Sequence, residues 1–264
     1  MDGSILGFQS TNALDDHPYA TTLSDKLTGQ FALTQRVMED AWRVRHASYV
    51  AQGYLDPIDG GMFTDEFDDP KHSMTAVIYV DQEPIGSVRI SRHDPDLAAK
   101  GIITMPTFAV FPDVIPEFLE RHGQPGNPAT ASELNRIVCL PAYRSDLRVI
   151  SGLFRMAKYI SLFCQTDVTF ASARPNHLAI YRRIGFNLAA PARPYVKLKF
   201  ETALLAAIYP HYQEIQSRFP ALATASRSDC WYPQLINGEK VPVFPNGLSP
   251  WRESKPSSAT AQAA

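Results

Sequence analysis

ASELNRIVCLPAYR, residues 131–144, places an acid and a base, Glu133 and Arg136, inside an apolar run that ends at Pro141. The run ELNRIVCL has the length and residue types of a buried strand. A charge buried in such a strand costs several kcal/mol unless it is paired or used in chemistry. Residues two apart on a strand share a face and residues three apart do not. Glu133 and Arg136 are therefore expected on opposite faces, unless a bulge intervenes.

Outward from this strand the pattern alternates. Downstream, LRVISGLFRMAKYISLFCQ (147–165) is periodic as a long helix, apolar at Val149, Leu153, Met156, Ile160 and Phe163. VTFASA (168–173) predicts a strand, and HLAIYRRIGF a short helix closed by Gly185. YVKLKF (195–200) predicts another strand, and ETALLAAIY (201–209) a helix that Pro210 interrupts. Upstream, MTAVIYV and IGSVRIS predict an antiparallel hairpin about the turn DQEP. A helix starts after Thr34, its N-cap, with Val37, Ala41, Val44 and Ser48 on one face. KLTGQFAL (26–33) precedes it as a short strand. Between helix and hairpin lie the breakers GYLDPIDGGMF and the acidic loop TDEFDDPKH. Residues 93–130 are irregular, with one short helix at PEFLERH.

The order predicts one α/β domain over residues 26–250 with a mixed sheet and a C-terminal helical extension. Residues 1–25 are expected as a flexible N-terminal arm and 251–264 as a disordered tail. A net charge of -2 gives no footprint for nucleic acid. No apolar run is long enough to span a bilayer, so no integral membrane segment is expected. The start lacks the basic and apolar regions of a signal peptide. Three scattered cysteines, Cys139, Cys164 and Cys230, fit free thiols in the cytoplasm rather than a disulfide framework. No metal spacing occurs among the histidines or in the acidic loop, so no metal site is expected.

A strand, then P-x-Y-R, then a long helix, a strand and PNHLAIYRRIGF resembles the GNAT acyltransferase fold. The resemblance implies a mixed, mostly antiparallel sheet with splayed central strands, flanked by helices. WRVRHASYVAQGY, FTDEFDD, GSVRI and ELNR, in that order, resemble the acyl-homoserine-lactone synthases and, more closely, the related bacterial N-acyl amino acid synthases. That similarity runs from about residue 34 to 200. It implies that Arg45, Asp65, Asp68, Arg89, Glu133 and Arg136 occupy the family's invariant charged positions, with Tyr49 and Tyr54 at its aromatic ones. The lactone synthases carry a glutamate where this chain has Phe63, which favours a plain amino acid over their sulfonium-bearing acceptor. The spacing from Asn176 to Tyr181 is shorter than the common GNAT pattern.

The activity so implied moves a fatty acyl group from a thioester to the α-amino group of an amino acid. Glu133, expected to line the cleft, is the candidate base. Arg136, on the far face, would bridge to Asp65 or Asp68, or to the partners of Arg45. Tyr181 is the candidate acid for the thiolate. Backbone N–H groups near Val138 and Leu140 would receive the oxyanion. Arg45 or Arg89, with Arg136, Asp65, Asp68 and Tyr54, would hold the acceptor. A diphosphate is poorly served by YRSDLRVIS, where Leu147 and Val149 replace glycines and Asp146 adds negative charge. The expected donor is therefore acyl carrier protein with its acyl-phosphopantetheine thioester, and no further cofactor. Ser151 lies on the same donor side, and Arg144, Arg148, Arg155 and Lys158 would meet the acidic carrier. ITMPTFAVFPDVIPEFL and FETALLAAIY are candidate walls for the acyl chain. The alternatives are an acyl-homoserine-lactone synthase, a CoA-dependent N-acetyltransferase, or a non-catalytic acyl-carrier-binding module. For Glu133 the competing role is a structural salt bridge with Arg45 or Arg89. Cys139 lacks a histidine partner for a nucleophilic role.

Overall fold

A computed structural model describes residues 27–195 and 197–244. The expected N-terminal arm and C-terminal tail lie outside the described residues. In chain order the strands are β1 (Leu27–Phe31), β2 (Ser73–Val80), β3 (Glu83–Arg92), β4 (Ala131–Cys139), β5 (Val168–Ala173), β6 (Asn187–Pro194), β7 (Glu201–Ile208) and β8 (Val241–Pro242). The helices are α1 (Gln35–Val50), α2 (Pro95–Ala98), α3 (Pro106–Val110), α4 (Ile115–His122), α5 (Leu147–Cys164), α6 (Leu178–Arg183), α7 (His211–Gln216), α8 (Pro220–Ala223) and α9 (Trp231–Ile236).

The strands form one eight-stranded sheet in the order β6-β7-β5-β4-β3-β2-β1-β8. Every neighbouring pair is antiparallel except β4 with β5. Short turns allow the antiparallel pairs, whereas the parallel step needs the α5 crossover. Pairing between β4 and β5 covers only Ala131–Leu134 against Val168–Ala171, while β4 runs on to Cys139. The central strands are thus splayed beyond Leu134. Prolines mark both outer strands, Pro191 and Pro194 in β6 and Pro242 in β8.

The helices sort to two faces. α5 covers one, where Val149, Leu153, Met156 and Ile160 pack with Ile78, Val88, Ile90 and Leu134. Phe163, expected on that face, is exposed instead, since the helix runs past the packed region. The other face carries α1, α3 and α4, with Val44, Tyr49, Met105, Phe111 and Ile115 packed near Val138, Val168, Phe170 and Leu204. α1 begins as its sequence predicts: the Thr34 side chain accepts from the Val37 N–H. Within Ile103–Leu119, a candidate wall for an acyl chain, Met105, Val110, Phe111, Ile115 and Leu119 are packed core, while Ile103 is exposed.

Two expectations fail. ETALLAAIY is strand β7, not a helix, paired with β5 and β6 and buried on both faces. YVKLKF forms no strand among its described residues; the edge strand is the preceding Asn187–Pro194. Alanine and leucine favour a helix locally, but two neighbouring strands supply this segment with ladder hydrogen bonds.

Candidate active site

Arg136 decides the geometry of β4. Its backbone takes φ +53°, and between Arg89↔Asn135 and Ser87↔Val138 two β4 residues oppose the single residue Val88. This is a bulge, and it turns Asn135 and Arg136 to the same side. Ala131 and Val138 lie in the core beneath α1, whereas Leu134 and Cys139 pack under α5. The expectation of opposite faces is overturned: Glu133 and Arg136 both look toward α1, because the extra residue shifts the alternation.

Arg136 does bridge to the acidic loop, as expected. Its Nη2 pairs with Asp65, and its Nη1 donates to the Tyr49 hydroxyl at 3.3 Å. Its guanidinium lies over the rings of Phe63 (5.0 Å), Tyr195 (5.6 Å) and Tyr49 (5.8 Å). Phe63, where the lactone synthases carry a glutamate, is thus packing for this cation.

Arg89 donates from Nη1 to Asp65 (2.6 Å) and Asp68 (2.7 Å), and from Nε to Asn135 (2.7 Å). Arg45 donates to Asp68 (2.7 Å) and Thr75 (3.2 Å). Asp65 and Asp68 stand in one 3-10 turn, Glu66–Asp68 with its N-cap, and their side chains close a capping box. Burial pushes both carboxyls up, but the arginines outweigh it and hold Asp65 well below the usual range and Asp68 below its ordinary value. Five of the expected substrate-binding residues are therefore one buried ion network that pins α1 and the acidic loop to the sheet. Arg45 and Arg89 are spent on aspartates and offer no free fork to an acceptor carboxylate.

Glu133 stands apart from that network. It makes no ion pair among the described residues; Oε2 accepts from the Thr107 N–H (2.8 Å) and hydroxyl (2.9 Å). The competing salt-bridge role is not what the geometry shows. Oε1 is buried with no hydrogen-bond partner among the described residues. Burial raises the carboxyl to about 7, against the pull of Thr107, Arg89 and Arg136. The side chain is fully buried, so it does not line an open cleft as expected; the Thr107 turn closes over it.

Tyr181 on α6 is also buried, packed edge-on between Phe154 and Phe186. Burial raises its phenol well above the ordinary value, and a Glu133 carboxylate adds to this. Glu133, opposite Phe170, lies one pair before β4 and β5 part. Tyr195, buried in the same surroundings, was not legible as a site residue. Tyr54 belongs to a neighbouring cluster, its hydroxyl accepting from Arg174. Arg174, immediately after β5, and Thr107 are further residues that sequence reasoning missed. The only signal for Arg174 was a charge at a strand end before proline.

The donor-side residues divide. Asp146 caps α5, accepting from the Arg148 N–H (2.9 Å) and holding the Arg148 guanidinium (2.6 Å). Arg144 is exposed and Leu140 half-buried. Val138 and Ser151 are buried. Arg155 and Lys158, expected on a carrier-facing surface, are buried too: Arg155 pairs with Asp229 (2.9 Å), and Lys158 lies over the Tyr212 ring (5.4 Å). The chain after β7 wraps that part of α5, which the sequence periodicity left open. Cys139 is buried and its thiol raised to about 11 by burial, so it is no nucleophile.

A family model described as N-acyl amino acid synthase FeeM matches residues 40–208, more than half of the chain. Among solved structures, FeeM, an N-acyl amino acid synthase from uncultured soil microbes, superposes with a TM-score of 0.58 at 14% identity, covering 72% of this chain and 95% of that one. BjaI, a CoA-dependent acyl-homoserine lactone synthase, gives 0.48 at 16% identity over 70% and 83% of the two chains. ElaA from Escherichia coli gives 0.44 at 15% identity over 69% and 97%. No curated protein matches the chain. With its splayed mixed sheet and a buried arginine–aspartate network over the matched span, this chain is an N-acyltransferase of GNAT-like fold and belongs to the FeeM family of N-acyl amino acid synthases.

Proposed function

We propose that the protein transfers a fatty acyl group from the phosphopantetheine thioester of acyl carrier protein to the α-amino group of an amino acid, in the cytoplasm. One observation carries the reading. Glu133 holds a carboxyl oxygen with no hydrogen-bond partner among the described residues, on a group raised to about 7, one residue before the last pair that joins β4 to β5. A base poised near neutrality can take a proton from an attacking amine. The amine nitrogen bonds to the thioester carbonyl carbon and its proton passes to Glu133. The C–S bond then breaks, and the thiolate takes a proton from Tyr181, which recovers one from the protonated Glu133 so that both groups return to their starting forms. Because Glu133 is shut from solvent, substrate entry must displace the Thr107 turn or the rings beside it.

The carrier-protein donor is supported by the α5 N-terminus. Asp146 already accepts from the Arg148 N–H at that terminus, and its negative charge opposes a diphosphate there. The single phosphate of a carrier-bound arm needs less, and exposed Arg144 remains for the carrier's acidic face.

The test is turnover of the purified protein with acyl carrier protein or acyl-CoA and a panel of amino acids, read by mass spectrometry. Carrier-dependent N-acyl amino acids, weakening as salt rises, are expected. Glu133→Gln is expected to lower turnover about 100-fold or more. A salt-insensitive preference for acyl-CoA removes the carrier; acyl lactones replace the acceptor; an active Glu133→Gln removes the base.

A further inference from the structure

We propose that Arg174 receives the α-carboxylate of the amino acid acceptor, an inference that rests on the function proposed above. Arg45, Arg89, Arg136, Arg155 and Arg193 are each paired to an aspartate. Arg174 is different. It is half-buried, and its partners are the Tyr54 hydroxyl, Gln52 Oε1 (3.5 Å) and His177 Nε2 (3.1 Å). Its guanidinium lies over the rings of Tyr54 (4.7 Å) and Phe200 (6.0 Å). None of these is an anion, and it forms no salt bridge among the described residues. A partly desolvated guanidinium with only neutral company is a preformed fork for a carboxylate, flanked by ring faces that fix its plane.

Its position suits the reaction. Arg174 follows β5 directly, on the far side of the gap left when β4 diverges. Its charge acts on the Tyr181 phenol, which in turn feels Glu133. An α-amino acid carries its amine one carbon from its carboxylate. Anchoring the carboxylate at Arg174 therefore directs the amine inward, toward Tyr181 and Glu133. The side chain of the acceptor would meet Tyr54 and Phe200, which touch edge to face at 5.1 Å.

The experiment compares an amino acid with its primary carboxamide as acceptors, using the wild type, Arg174→Gln and Arg174→Lys. Loss of the charged hydrogen bonds is expected to raise KM for the amino acid about 10- to 100-fold in Arg174→Gln. KM for the acyl donor should stay as it is, and the preference for acid over amide should collapse. Arg174→Lys restores part of the preference. A rise in donor KM instead would give the guanidinium to the donor's phosphate and overturn the proposal, as would an unchanged acid-to-amide ratio. A wild type that acylates amines without regard to a carboxylate refutes Arg174 while leaving the acyltransferase intact. One that acylates no amino acid at all removes both. Should Arg174→Gln fail to fold by circular dichroism, Arg174→Lys carries the test: its KM for the amino acid must rise while its donor KM holds, and an unchanged acid-to-amide ratio in it also overturns the proposal.

Discussion

At Glu133 two environments compete for one proton. Burial favours the neutral acid, whereas the Thr107 hydrogen bonds and the arginines favour the carboxylate, and burial wins by enough to bring the group to about 7. Removing the Thr107 hydroxyl removes a bond that favours ionisation. Thr107→Val is therefore expected to move the acidic limb of the kcat/KM profile to higher pH, checked by initial rates from pH 5.5 to 8.5. Linkage gives a second readout. Because the folded pKa is raised above its ordinary value of 4.5, the folded state holds this proton more tightly. Its contribution to stability is present below about 4.5 and falls away as pH rises to about 7. The loss amounts to roughly 3 kcal/mol, at about 1.4 kcal/mol per pH unit. Urea unfolding of Glu133→Gln between pH 4.5 and 7.5 should lack that decline; a parallel slope in both proteins would remove the buried acid from the account.

At the scale of the element, the bulge in β4 matters most. It brings Arg136 under α1 beside Arg89, so that one loop with two aspartates can neutralise three strand and helix arginines in part. Asp65→Asn would leave Arg89 and Arg136 buried without their shared carboxylate, at a cost of about 3–5 kcal/mol in chemical denaturation. A loss near zero would mean that the network is not held together by charge. The sequence made the strand, its two charges and the acidic loop legible, since each has local chemistry. Arg136's left-handed backbone was not legible, because nothing in ELNRIVCL marks a residue with φ +53° when it is not glycine. β7 was misread for a related reason. ETALLAAI is buried on both faces and lacks the alternation that separates strand from helix. Conversely, YVKLKF alternates, yet Tyr195 and Leu198 are buried from a turn region that follows the edge strand.

Across the whole molecule, the segment after β7 is a wrap for α5. Arg155 donates to the Ala221 carbonyl (2.5 Å) and the Thr224 hydroxyl (2.6 Å), and pairs with Asp229, which also accepts from Tyr159. Three residues of the extension region, Ala221, Thr224 and Asp229, are thereby tied to one helix. Asp229→Ala strands the Arg155 charge and is expected to cost about 3–5 kcal/mol. Arg155→Met, of similar volume and without charge, should cost less; the reverse order in thermal melts would contradict the pairing. The extension holds the short helices α7, α8 and α9, and its role in covering Arg155 depends on contacts some 70 positions apart in the chain. The two outer strands carry a consequence for the molecule among its own kind. A proline has no N–H, so β6 at Pro191 and Pro194, and β8 at Pro242, present interrupted donor rows at the rims. Among the described residues, a passing strand from another copy finds no continuous ladder to extend, which guards an apolar sheet against growing into fibrils at high concentration.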